Sequence, residues 1–251
     1  MIRTYGDEAV AHFVDQARGD PELRRRMEQI TTTPPSEGLG GRTRPHPVFA
    51  RVYTKVAEMS ERRGGAEHRH KLLAGLSGRV IEVGAGSGAN FSHYPTSVSE
   101  VIAVEPERYL RERAQQAAAA APVPVSVVDG GADLLPGEPG SFDAGVAALV
   151  LCTVPDQQRA LAELFRVIRP GGELRFYEHV VGHSKWESRF QRLADATFWP
   201  HVAGGCHLSR DTTAAIEHAG FQFQTCERFP FSPAAFLPPD AHILGTARRP
   251  A

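Results

Sequence analysis

Residues 79–88 read RVIEVGAGSG, and this stretch decides the architecture. Val80, Ile81 and Val83 are the β-branched residues of a buried strand, and the run stops at Gly84, Gly86 and Gly88. Glycine accepts the backbone angles of a sharp strand-to-helix turn and leaves the chain bare where a ligand must come close. A helix is expected after Gly88. Seventeen residues beyond that glycine, Glu105 ends a second apolar run, where a carboxylate can accept hydrogen bonds from both hydroxyls of a ribose. Together the two features predict a nucleoside site.

Outward from this unit the hydrophobic period keeps switching between strand and helix, the pattern that builds a parallel sheet with helices on both faces. Strands are expected at RVIEV from Arg79, EVIAV from Glu100, PVSVV from Pro124, FDAGVAALV from Phe142 and GELRFYEHV from Gly172. Helices should follow Gly88, Pro106 and Asp156, the last carrying Leu161, Leu164, Phe165 and Ile168; the Ala run after Gln116 reads as a helix end. FQFQTCERF from Phe221 and AHILGTA from Ala241 have no long helix between them and predict an antiparallel pair. The expected fold is α/β: a doubly wound, mostly parallel seven-stranded sheet closed by that pair.

Upstream, Thr4 and Asp7 fit a capping box before Val10, Phe13, Val14 and Ala17, and Asp20-Pro21 opens a second helix with Leu23, Met27 and Ile30. A breaker-rich stretch, residues 31–47 (TTTPPSEGLGGRTRPHP), follows. Residues 1–47 are therefore read as a helical arm and linker covering the acceptor pocket, and 48–251 as the main domain, opening with a helix over roughly Val48 to Ser60.

With 28 basic against 29 acidic residues the formal charge is -1, which points to no nucleic-acid partner and favours a small-molecule one. The sequence holds no apolar run long enough to span a bilayer and no secretory signal, so a cytoplasmic location is expected. Cys152, Cys206 and Cys226 form no C-x-x-C pair, so reduced thiols are expected rather than disulfides or zinc. The pairs His68/His70 and His179/His183 lack the H-E-x-x-H context, and no metal is predicted. Oligomeric state is not legible.

Gly84, Gly86 and Ala89 also satisfy the dinucleotide fingerprint, so the glycines alone leave a nicotinamide-dependent oxidoreductase open. Glu82 two residues before the first glycine, Ser141-Phe-Asp143 opening the fourth strand, and Arg169-Pro-Gly-Gly172 turning into the fifth resemble the class I methyltransferases, from about Val48 to the C-terminus. The resemblance implies S-adenosylmethionine as cofactor. It assigns Glu82, Gly84, Ala85, Gly86, Gly88 and Asn90 to the methionine end and Glu105, with Pro106, to the ribose. Gly131 and Ala132 would border the adenine, and Ala148 and Leu149 the sulfonium. Many relatives carry Asp-Ala where this chain has Gly131-Ala132, which leaves Asp129 or Asp133 as the substitute carboxylate.

In open α/β sheets ligands sit beyond the carboxyl ends of the strands, which places the acceptor after the fourth and fifth strands. The segment from Phe176 to Phe236 holds eleven of the twenty aromatic residues, enough for an apolar wall. Tyr53, Trp186, Phe190, Phe198 and Trp199 are the candidate lining. Leu151-Cys-Thr-Val154, Glu178-His179-Val180, Trp186 and Gly205-Cys-His-Leu-Ser-Arg210 are similar to the small alkyl-thiol methyltransferases and the quinone-methyltransferase-like bacterial group. That similarity implies in-line methyl transfer to a small, largely apolar acceptor at a thiol or hydroxyl, although relatives methylate carbon or nitrogen. A thiol ionises near neutrality and needs little help, whereas a phenol or enol benefits from an imidazole. His179 is the first candidate base and His207 the second; each imidazole could instead only orient a loop. Cys206 reads as a packed thiol, since the fold needs no covalent intermediate. A non-catalytic binding module is disfavoured by the intact Glu82, glycine loop and Glu105.

Overall fold

The computed structural model describes residues 56–57, 59–182, 185–197, 199–202, 205–233 and 239–251. The two helices and linker of the expected arm, and most of the helix expected from Val48, lie outside the described residues. After a π-helical turn at Glu61–Gly65, the chain runs α1 (Ala66–Leu73), β1 (Gly78–Val83), β2 (Val98–Val104), α2 (Arg108–Ala118) and β3 (Val125–Val128). It continues through β4 (Phe142–Ala148), α3 (Gln157–Val167), β5 (Ile168–His179), α4 (Lys185–Thr197) and α5 (Trp199–Val202). It closes with α6 (Thr212–His218), β6 (Gln222–Phe231) and β7 (Asp240–Arg248).

The seven strands lie in the order β3-β2-β1-β4-β5-β7-β6. The first five are parallel, and β7 runs antiparallel to both neighbours, pairing Tyr177 with Leu244 on one side and Arg228 with Ile243 on the other. Alternation along the strands divides the core in two. Ile81, Val83, Ile102, Val104, Phe142 and Phe176 pack with Leu161 and Leu164 of α3 and Ile216 of α6. On the other face Val80, Val101, Ala103, Val146 and Tyr177 pack with Leu72 and Leu73 of α1 and Ala114 of α2. Three carboxylates open the helices: Glu107, Asp156 and Asp211 accept from the amides of Leu110, Arg159 and Ala214 at 2.8, 3.0 and 3.0 Å. α2 ends within the Ala run, as expected.

Three local expectations are corrected. After Gly88 the chain makes a turn and a short 3-10 helix (Phe91–His93) in place of a full helix. Pro95 drives the residue before it out of the helical region, and Tyr94 is extended at φ -64°, ψ 130°. β4 stops at Ala148 rather than Val150, because Leu149 takes the left-handed φ of 57°, the one positive φ outside glycine among the described residues. β5 begins at Ile168, and its pairing with β4 shifts register between Phe142 and Ala144, which accommodates Arg169–Gly172. Among the described residues no helix is long and apolar enough to cross a membrane.

Candidate active site

The loop after β1 is stitched to the end of β2: the amides of Gly84 and Ala85 both donate to the carbonyl of Val104, at 2.8 and 3.1 Å. Gly84, Gly86 and Gly88 have φ of 65°, 57° and 83°. A Cβ at Gly84 would stand 2.2 Å from Val150 Cγ2, so the segment after β4 and the glycine loop can approach only with glycine there. Glu105, buried just past β2, accepts from the amides of Gly86 at 2.8 Å and Glu107 at 2.9 Å. Burial raises its pKa and those amides pull it back down. Beside it, Arg111 donates to the Pro106 carbonyl at 3.0 Å.

Glu82, the last inward residue on its face of β1, anchors a relay that sequence reading resolved only in part. Asn90 Nδ2 donates to Glu82 Oε1 at 3.0 Å and the Tyr94 hydroxyl to Oε2 at 2.6 Å. Asn90 in turn accepts from Arg69 Nη1 at 2.7 Å, and Arg69 Nε donates to Glu61 at 2.7 Å. Burial pushes the Glu82 carboxyl up to about 7, against the pull of Tyr94 and Asn90. Arg69 and Tyr94 carry no local signature of this role: Arg69 reaches Asn90 from a helix 21 positions upstream, and Tyr94 follows a short 3-10 turn where a helix was expected after Gly88.

At the adenine end, Asp129 pairs with Arg111 at 3.1 Å and is 71% exposed, whereas Asp133 folds over the glycine. A Cβ at Gly131 would lie 2.5 Å from Asp133 Oδ1. Gly131 and Ala132 are both partly buried beside it. The Ser-Phe-Asp signature lies at the opposite edge: Asp143 accepts from the Arg79 amide and from Arg169 Nε, each at 2.8 Å, so this motif ties the starts of β1, β4 and β5 together. Arg169 beside it holds the Asp143 carboxyl below its ordinary value.

Leu149, beside the buried Ala148, donates its amide to the Tyr177 carbonyl at 2.7 Å, and the following three amides turn onto one carboxylate. Val150 and Leu151 donate to Glu178 Oε1 at 3.0 Å each, and Cys152 to Oε2 at 3.3 Å. Glu178 is thus the internal cap of the β4–α3 loop, which explains it as a partner of His179 in the sequence pattern. Burial lifts its carboxyl to about 7 despite those three amides.

Tyr177 and His179, two apart on β5, point to the same face. There His179 meets His242 of β7, ring centroids 5.4 Å apart, and Tyr177 meets His68 of α1 at 5.4 Å, with Phe229 and Phe231 of β6 packed on His68. The buried atoms His68 Nδ1 and Tyr177 Oη have no hydrogen-bond partner, and the buried His179 imidazole has only the Cys206 thiol against it. Buried polar atoms without partners are rare, so a concentration of them at the carboxyl edge beside the glycine loop is what a site built for a ligand looks like. Glycine loop, buried acids at the ends of β1 and β2, and these unsatisfied groups all fit S-adenosylmethionine with an acceptor beyond its methyl group.

The other candidates divide. His207 is not part of this cluster; it lies 4.0 Å from Asp195 and donates its amide to the Cys152 carbonyl at 2.9 Å. Trp186 and Phe190 stand 80% and 65% exposed on α4, which buries Gln191 and Ala194 on its other side, so they do not join the His179 cluster. The aromatic count was misleading here because in this helix the inward stripe is small and polar. Trp199 contacts the Cys206 thiol, while Tyr53, Phe198 and His183 lie outside the described residues.

Residues 81–176 match the methyltransferase domain family. The chain is 37% identical to the human thiol S-methyltransferase TMT1B over 183 residues, 70% of this chain and 74% of that one. Against the mouse thiol S-methyltransferase TMT1B it is 35% identical over 206 residues, 80% of this chain and 82% of that one. Among solved structures, an S-adenosylmethionine-dependent methyltransferase of Thermotoga maritima superposes with a TM-score of 0.61 at 20% identity, covering 80% of this chain and 97% of that one. The strand order is accordingly that of a methyl-transfer enzyme, and the chain belongs to the class I S-adenosylmethionine-dependent methyltransferases, in the family that contains these thiol S-methyltransferases.

Proposed function

We propose that the protein methylates the sulfur of a small, largely apolar thiol, with His179 at the reacting end. The cofactor supplies an electrophilic methyl group on a sulfonium, and the residues of this chain bind, orient and handle the acceptor's proton. Glu82 with Asn90 would hold the methionine end, Gly84, Ala85, Gly86 and Gly88 would shape the loop around it, and Glu105 and Pro106 would meet the ribose. Gly131, Ala132 and Asp133 would border the adenine, and Ala148 and Leu149 the sulfonium. The observation that carries the reading is the buried His179 imidazole at the carboxyl edge of β5, which meets the His242 ring and the Cys206 thiol. Such a group can accept a proton from an entering thiol or point its lone pair at the nucleophile. The curated relatives, named as thiol S-methyltransferases, support sulfur over oxygen as the acceptor atom. Residues 48–251 are proposed as the catalytic domain, and 1–47 as a helical arm and linker preceding it in the chain.

The test is a methyl-transfer screen with labelled S-adenosylmethionine against small thiols, phenols, indoles and quinols matched in size. S-methylated product from alkyl or aryl thiols, at ten times or more the kcat/KM of the matched phenols, is expected. Preferential O-, N- or C-methylation would overturn the thiol reading while leaving the methyltransferase assignment in place.

A further inference from the structure

The mechanism above leaves unused a second reactive group at the same edge. Cys152, on the loop after β4, and Cys206, before α6, bring their thiols against each other, although 54 positions separate them in the chain. Their segments are fastened on both sides of the contact. The His207 amide donates to the Cys152 carbonyl at 2.9 Å, and Arg210 Nη1 to the Leu151 carbonyl at 2.7 Å. Cys152 is 2% exposed, whereas Cys206 is partly open. His179 and Trp199 also face the Cys206 sulfur.

We propose that Cys206 and Cys152 are a nucleophile and its resolving partner, and that they exchange with small organic disulfides entering at the acceptor end. Cys206 is the attacking sulfur because it is the accessible one and is surrounded by donors. Hydrogen bonding from Cys152, then His179 and Trp199, brings its pKa down to about 5 against the cost of burial. The Cys152 thiol is pushed up by donating to Cys206 and by burial, so it stays protonated until the first step is complete. In that step the Cys206 thiolate forms a bond to one sulfur of RS–SR, the S–S bond breaks, and RS⁻ leaves. Cys152 then loses its proton to solvent and attacks the Cys206 sulfur, expelling the second RS⁻. Two enzyme thiols are oxidised to one intramolecular disulfide, and the incoming disulfide is reduced to two thiols. That the disulfides in question are the oxidised dimers of the methyl acceptor rests on the thiol reading above; the exchange itself rests only on the cysteine pair.

The experiment incubates the fully reduced, air-free protein with 2-hydroxyethyl disulfide and follows intact mass, released thiol and the peptide map. The expected result is loss of two hydrogens from the protein, release of two thiols for each chain, and a peptide joining Cys152 to Cys206. Cys152→Ser should instead hold the mixed disulfide on Cys206. Cys226, exposed on β6 with its thiol raised by burial, is the internal control. Exchange at Cys206 should be flat from about pH 6 to 8, while at Cys226 it climbs about tenfold per unit, because only Cys226 gains thiolate over that range. Reaction confined to Cys226, or no Cys152–Cys206 peptide in wild type, overturns the proposal, and the wild-type map does so even where a variant fails to fold. Methylation of thiols by the reduced enzyme is measured separately, so each reading can fail without the other.

Discussion

Leu151 and Glu178 are joined by a hydrogen bond of 3.0 Å between a backbone amide and a buried carboxylate, and that bond fixes the far wall of the site. Because Oε1 also takes Val150 and Oε2 takes Cys152, the loop that carries Leu149 into its left-handed turn is held by one side chain of β5. Glu178→Gln puts an NH2 group against at least one of those amides. The expected loss is about 1–3 kcal/mol of stability, the usual scale for a buried polar group left without its partner. Urea denaturation measures it, and an unchanged midpoint would mean the loop is held by other contacts.

Glu105, expected at the ribose, also braces the glycine loop, since it accepts the Gly86 and Glu107 amides. Glu105→Ala should therefore weaken S-adenosylmethionine binding by about 1.5–3 kcal/mol, roughly tenfold to a hundredfold. It should also lower the melting temperature of the ligand-free protein. Calorimetry and thermal denaturation separate the two effects; weaker binding with no change in melting would remove the loop-bracing role.

The Glu82 carboxyl, lifted to about 7 by burial, should make cofactor binding depend on pH. A bound ammonium group favours the ionised form, so binding releases a proton below pH 7, affinity falls as pH drops through 7, and it levels above. In the ligand-free protein the sign is opposite. Glu82 and Glu178 bind protons more tightly folded than unfolded, so both subtract stability as pH rises from 4.5 toward about 7. S-adenosylhomocysteine titrations in buffers of different ionisation enthalpy read the proton directly. Glu82→Gln should abolish the release, and an unchanged proton count in that variant would exclude Glu82 as its source.

His179→Ala should lower kcat by about a hundredfold or more with an acceptor that is mostly neutral at pH 7, the scale of a positioned general base. With a thiol the loss should be smaller and should shrink as pH passes the thiol pKa, since the nucleophile then ionises unaided. The measurement is a pH-rate profile of wild type and variant, once both bind S-adenosylhomocysteine equally. Burial lowers the His179 pKa and the Cys206 thiolate overcomes it, leaving the imidazole raised. A base must be unprotonated to take the proton, so the acid limb of the wild-type profile should move to lower pH when Cys206 is replaced by Ser. Superimposable profiles for wild type and His179→Ala would withdraw the imidazole from proton transfer.

The sequence by itself determined the doubly wound sheet, the antiparallel final pair, the glycine loop and the acids Glu82 and Glu105. All of these are written in local periods and short spacings: β-branched runs, glycines at strand ends, a carboxylate a fixed distance on. Only the tertiary structure decided which side chains from distant segments meet. Arg69 of α1 joins Glu82 of β1 through Asn90. Asp143 braces the starts of β1, β4 and β5. Glu178 serves as a loop cap, and Cys206 meets Cys152 across the carboxyl edge. Trp186 and Phe190, expected to line the pocket, stand outside the His179 cluster, because composition counts apolar rings without saying which face of a helix is turned inward. The physical reason is range. Backbone preference and hydrophobic period act over a few residues and can be read along the chain, whereas a hydrogen bond or thiol contact between segments depends on how strands register and where loops turn, and no local pattern encodes that.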